Sequence, residues 1–372
     1  MAVDEYTLTE RIGGSPFGVV YLGFKKGSQA KYAIKQKESP RNINNIKAKR
    51  YLDNQILIMK YINHPNIIKL LDVKIKEKFV FIITEYCNGG NLEDFLDNYL
   101  EANNKALPED IVQNIMRQVI EAFRYLNNKG IMNRRIKLKH ILINYENEYD
   151  RENKNIMKGK IKISGFGFAR YLKKGELAYS LFGDSFISPI FINKLNKNRD
   201  YIGQGYDERE VIFALGIICY ELLVGKNPFE SDSMDELVNK INNGDYYIPI
   251  TLSKEAISFI DNMLQYYPKD RLSIDELYNH DFLTKNVKDF NKLDLDIIKK
   301  YENNQKIKIN TRDNSLIKKI LENQNYELIK SKSNNLDELF WDAFWEFQKY
   351  SISIEPKLLP IKLDITDKDY EL

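Results

Sequence analysis

Residues 131–143 read IMNRRIKLKHILI, and residues 160–170 read KIKISGFGFAR. In and beside them, ILIN (141–144) and KIKIS (160–164) are short, apolar-rich runs of strand type, and the polar insert NYENEYDRENKNIMKG (144–159) between them predicts a solvated hairpin loop. Outward from this pair the period changes. LEDFLDNYL and IVQNIMRQVIEAFRYL before it, and VIFALGIICYELL and SKEAISFIDNMLQ after it, place apolar residues three or four apart, as helices do, with Ser253 positioned to cap the last. Further toward the N-terminus, from Tyr6 to Phe81, short apolar runs such as VVYLGF and KYAIKQ alternate with turns around one helical stretch, Ile46–Tyr61. That pattern predicts a small sheet carrying a single helix.

The chain of 372 residues is long enough for two lobes with buried cores. Apolar residues make up 43% and charged residues 29%, ordinary for a globular protein, and 56 basic against 53 acidic residues leave a net charge of only +3. No global field points to nucleic acid or to an anionic membrane. Two cysteines, Cys87 and Cys219, lack the spacing of a disulfide framework or zinc cluster, which predicts a reducing compartment. The N-terminus has no basic flank or apolar core, and no apolar run approaches membrane-spanning length, so a cytoplasmic protein is expected.

Taken in order over roughly residues 4–284, these segments resemble the protein kinase superfamily. RIGGSPFGVVY is similar to a glycine-rich loop, YAIK to the strand bearing the phosphate-binding lysine, and FIITEYCNGGNLEDFL to the hinge. IMNRRIKLKHILI resembles the catalytic loop, KISGFGFAR the metal-binding motif, and PKDRLSIDELYNHDFL the closing segment of the large lobe. The resemblance implies an α+β, bilobal fold: a β-rich lobe over residues 4–86, a helical lobe over 87–284 and an extension over 285–372. The nearest flavour is that of calmodulin-dependent or autophagy-initiating and Fused-like serine/threonine kinases.

Against that family pattern, Arg135 stands where the loop's aspartate would accept a substrate proton, and a guanidinium has no acceptor site. His140 and Gly165 stand at the two magnesium-ligating positions, a poor pair for a hard cation that wants oxygen donors. Gln55 replaces the helix glutamate that would pair with Lys35. Val211 aligns with the long-helix aspartate, next to Glu210, and Pro189–Ile190 replace a proline–glutamate pair, so Arg271 is expected to lack its partner. These departures imply a catalytically inactive pseudokinase, with no catalytic and no metal-binding residues.

What remains of the family's nucleotide site is carried by the resemblance alone. Gly13, Gly14 and Gly18 belong to the glycine-rich loop, in which Ser15 replaces a glycine and Pro16 stiffens the tip. Val20 and Ala33 would cover the adenine from above and Leu142 from below, with Thr84 as gatekeeper, Glu85 to Cys87 along the adenine edge and Lys35 on phosphate. ATP or ADP held without magnesium is the implied cofactor state, and a collapsed, empty pocket is the alternative.

Three functions follow. The leading one is a scaffold or allosteric partner of other proteins, such as an active kinase or a large assembly, without nucleic acid or membrane. The alternatives are an atypical active serine/threonine kinase and a structural component of a cytoskeletal or ciliary assembly. In the extension, NLDELFWDAFWEFQKY predicts an aromatic amphipathic helix over 335–350 that something must cover.

Overall fold

The computed structural model describes residues 2–15, 18–39, 46–172, 177–178, 188–195, 205–249 and 251–285. The first part runs β1 (Ala2–Val3), β2 (Tyr6–Ser15), β3 (Gly18–Lys25), β4 (Lys31–Glu38), α1 (Ile46–Tyr61), β5 (Leu70–Lys76) and β6 (Phe79–Glu85). Its six strands form one antiparallel sheet in the order β1-β2-β3-β4-β6-β5. Alternation along β6 sends Phe81 and Ile83 to one face, where they pack with Val3, Tyr6, Leu8 and Ile34. Val80 and Ile82 go to the other face and join the main core, which continues through α1 into the helical part.

That part runs α2 (Leu92–Asn103), α3 (Glu109–Asn128), β7 (Ile131–Met132), β8 (Ile141–Asn144), α4 (Glu148–Glu152), β9 (Lys160–Ile163) and β10 (Arg170–Tyr171). It closes with α5 (Pro189–Leu195), α6 (Arg209–Val224), α7 (Met234–Asn243), α8 (Lys254–Met263), α9 (Ile274–Tyr278) and α10 (Asp281–Thr284). Side-chain caps start several of these helices: Asn91, Ser233 and Ser253 each accept an amide of the first turn, and Ser273 with Glu276 completes a capping box. Helix α6 is buried from Glu210 to Tyr220, so it has no polar stripe and runs through the middle of the helices. A β-sheet lobe followed by a helical lobe is the architecture expected, and residues 1–288 form one compact unit.

The hairpin insert is not merely solvated: Asn147 caps α4 within it, and Tyr145 and Ile156 are buried and anchor its ends. Arg271 does not lack a partner. Its Nη1 donates to Glu210 Oε1 at 2.9 Å, with both side chains wholly buried. The neighbour of Val211, at the start of α6, thus supplies the carboxylate missing at Pro189–Ile190. Finally, the aromatic helix at 335–350 and the loop tip at Pro16 lie outside the described residues. Among the described residues no helix is long and apolar enough to cross a membrane.

Candidate active site

Strand β4 sets the site by its period of two. Ala33 pairs with Leu22 and Thr84, Lys35 with Val20 and Ile82, and Lys37 with Val80, so these residues share one face of the sheet. Ile34, between them, is fully buried on the other face. The hairpin of β2 and β3 comes close to the same strand: Gly13 pairs with Val20, and Gly18 pairs with Ser15 at the turn. Gly18 has φ +139°, and a Cβ there would meet Gln36 O at 2.5 Å and Lys37 Cγ at 3.0 Å. Only glycine lets the hairpin lie this close to the Lys37 stem.

The hinge residues divide. Thr84 Oγ1 donates back to Ala33 O at 3.3 Å. The Glu85 side chain accepts from Lys69 N at 2.7 Å and from Lys162 Nζ at 2.9 Å, both on Oε1. Cys87 is half-buried, and burial together with the Glu85 charge pushes its thiol up to about 12, which disfavours the thiolate. Leu142, on β8, packs against the main core and bridges to Asn91.

Gln55 bonds Lys37 and Met59. Its Oε1 accepts from Lys37 Nζ at 3.3 Å, and its Nε2 donates to Met59 Sδ at 3.9 Å. Lys37 was missed because motif reading stops at Lys35, although simple alternation along the strand puts both on one face. Burial, then the Arg135 charge, lowers Lys35; burial, then the Lys35 charge, lowers Lys37 to about 7.

The loop after β7 is held by its own polar groups. Buried Asn133 accepts from Arg135 N at 3.1 Å, Arg134 Nε donates to Phe168 O at 2.8 Å, and the Arg135 guanidinium lies 5.2 Å over the Phe168 ring. His140 Nδ1 donates to Arg135 O at 2.7 Å, and Ser164 Oγ donates to His140 O at 2.9 Å. Gly165 has φ +81°, and a Cβ on it would sit 2.7 Å from His140 Cγ and 2.8 Å from Nδ1. The imidazole therefore fills the space a carboxylate at position 165 would need. With no oxygen donor at either position, and no group of three His, Cys, Asp or Glu among the described residues able to hold a metal, these side chains do not fit magnesium.

Burial lowers two histidines, His140 and His64, to about 4 each, with nearby lysine charges adding to the effect. His64 Nδ1 accepts from Asn66 N at 3.1 Å, a structural role. Both imidazoles stay neutral in the folded protein while the unfolded chain takes up protons from about pH 6.5 downward. Stability should therefore fall as pH drops from 6.5 toward 4, by roughly 3 kcal/mol per histidine at the lower limit. Urea denaturation at pH 7 and pH 4.5 checks this. A His64→Gln variant should flatten the dependence, and an unchanged slope would refute the assignment.

A protein kinase domain model matches residues 6–283. The chain is 31% identical over 284 residues to the serine/threonine-protein kinase ULK1 of Homo sapiens, covering 75% of this chain and 25% of that protein. It is 29% identical over 284 residues to the serine/threonine-protein kinase ULK3 of Xenopus laevis (76% and 56%). To the serine/threonine-protein kinase atg1 of Dictyostelium discoideum it is 28% identical over 292 residues (77% and 40%). The chain thus spans between a quarter and just over half the length of these curated relatives.

These matches overturn the expectation of a non-enzymatic, catalytically inactive scaffold, since the relatives carry the names of serine/threonine kinases. The physical reason the earlier expectation overreached is that lost motif residues do not measure turnover. Phosphoryl transfer asks mainly for positioning and charge neutralisation, and the β4 face keeps Lys35 and adds Lys37.

Proposed function

Because the chain belongs to the protein kinase domain family, we propose that it is an atypical serine/threonine protein kinase, transferring a phosphoryl group from ATP to a protein hydroxyl. The observation that carries this reading is the family match, unbroken from residue 6 to residue 283 and running through the cleft face that holds Ala33 and Lys35. Its similarity to ULK and atg1 kinases supports placing it near that branch. ATP, when bound, supplies the transferable phosphoryl group. Val20 and Ala33, which share a sheet face, and Leu142 from β8 would flank the base. Lys35 would neutralise phosphate charge. Arg135 has donors only, so its contribution is to charge rather than to proton removal.

The test is transfer of labelled γ-phosphate to a generic protein substrate and to the chain itself, across several divalent metals and in EDTA, with Lys35→Ala as the control. Transfer is expected, falling about 10²- to 10³-fold in the variant, the cost of removing one charge-stabilising donor. Transfer that is absent, or equal in the variant, would overturn the proposal.

A further inference from the structure

We infer that Lys37, together with Lys35 and Arg135, holds the phosphate chain of a nucleoside triphosphate in place of a divalent metal. The inference rests on the reading that this cleft takes ATP and assigns its phosphate end to residues the family pattern does not use.

Four observations lead to it. Lys37 stands two residues beyond Lys35 on β4, so both ammonium groups leave the same face. Its stem lies against Gly18, at the turn of the glycine-rich hairpin. The hydrogen-bond partner of Lys37, Gln55, is a neutral amide where the family places a carboxylate; it orients the ammonium without cancelling its charge. Among the described residues neither Lys35 nor Lys37 makes an ion pair, and the charges that act on them are cationic: Arg135 on Lys35, and Lys35 on Lys37.

Two neighbouring ammonium groups that make no ion pair among the described residues are unfavourable in a partly dehydrated cleft unless an anion enters. The complementary ligand carries several negative charges along a chain, as a triphosphate does, and each ammonium or guanidinium gives it charge-assisted hydrogen bonds. A divalent cation meets the opposite situation. It is repelled by the same groups, and the positions that would ligate it hold His140 and Gly165, with the imidazole packed where a carboxylate would reach. The neutralising charge therefore comes from side chains. Burial and the neighbouring Lys35 hold the free Lys37 near its midpoint at neutral pH, so the array relaxes its own repulsion when empty and recharges when phosphate arrives.

Calorimetric titration of the full chain with ATP, in EDTA and in excess magnesium, tests this without any turnover. The expected result is a dissociation constant in EDTA within threefold of that in magnesium. Lys37→Met should weaken ATP at least tenfold and leave adenosine unchanged, while Lys37→Arg keeps most of the affinity. Tenfold tighter binding in magnesium would overturn the inference on the unaltered protein, whatever the variants do. So would an equal loss for ATP and adenosine in Lys37→Met, which would mark Lys37 as a packing residue. Absence of any ATP binding would sink this inference and the kinase reading together. Magnesium-dependent binding would sink this inference alone.

Discussion

Replacing Arg271 with alanine should lower the unfolding free energy by about 3–5 kcal/mol, the cost of stranding one charge of a buried pair. The Glu210 and Arg271 side chains are both wholly inaccessible, and the pair bridges the start of α6 and the segment leading into α9, three residues before its first residue. Arg271 also donates to the carbonyls of Arg209, Gln265 and Tyr266 and lies 4.9 Å over the Phe213 ring. Burial pulls Arg271 below the usual guanidinium range, and the Glu210 charge works against that. Without the guanidinium, Glu210, whose Oε2 already lacks a hydrogen-bond partner, would remain as an uncompensated buried carboxylate. Glu210→Gln keeps shape and a hydrogen-bond acceptor, so it should cost less than Arg271→Ala. Equilibrium urea unfolding measures both. A loss under about 1 kcal/mol for Arg271→Ala, the scale of an exposed pair, would show that the pair contributes little.

Gly165→Asp should destabilise the protein by about 1–3 kcal/mol and fail to create a magnesium site. A Cβ at position 165 collides with the His140 ring at 2.7 Å, and that ring is held by its bond to Arg135 O, so it cannot simply swing aside. The positive φ adds a smaller backbone cost that aspartate tolerates better than most residues. Adding His140→Ala should recover most of the loss, because alanine removes the Cγ and Nδ1 atoms that the new Cβ would meet. The two changes should be non-additive by more than about 0.5 kcal/mol, beyond the scatter of independent sites. Melting temperatures with and without magnesium on the two single variants and the double variant decide it. Additive losses would mean the imidazole is not what blocks position 165.

Order and spacing of motifs made the fold readable from the amino acids, because each short run carries its own period. Ile46–Tyr61 is a helix with the bounds that its pattern predicts, and Ser253 caps α8. What stayed hidden depends on distance in the chain. The Glu210 and Arg271 side chains meet across 61 residues, and nothing local says which of Glu210 and Val211 turns toward Arg271. Lys37 was hidden for the opposite reason: the signal is local, but a family motif ending at Lys35 draws attention away from the next residue on the same face. Glu85 shows a third kind of limit. Its place in the hinge is legible, yet its direction is set by Lys162 on β9, 77 residues later. For function, substituted residues carry less than their visibility suggests: a missing aspartate shows in one letter, while charge supplied by Lys37 shows only when the alternation of β4 is followed past the motif.

That Glu85 carboxylate has a mechanical side. One oxygen atom accepts from the main chain just ahead of β5 and from the ammonium of a strand in the helical lobe. Sheet and helices are thus joined where β6 ends, close to the backbone bonds that Ile163 makes with Asn66 and Ile68. A swing of the sheet about this joint would displace residues near Glu85 little and Gly13 and Gly18, at the far end of the β2–β3 hairpin, more. The width of the site beneath Gly13 and Gly18 is then set by an angle rather than by a sliding distance.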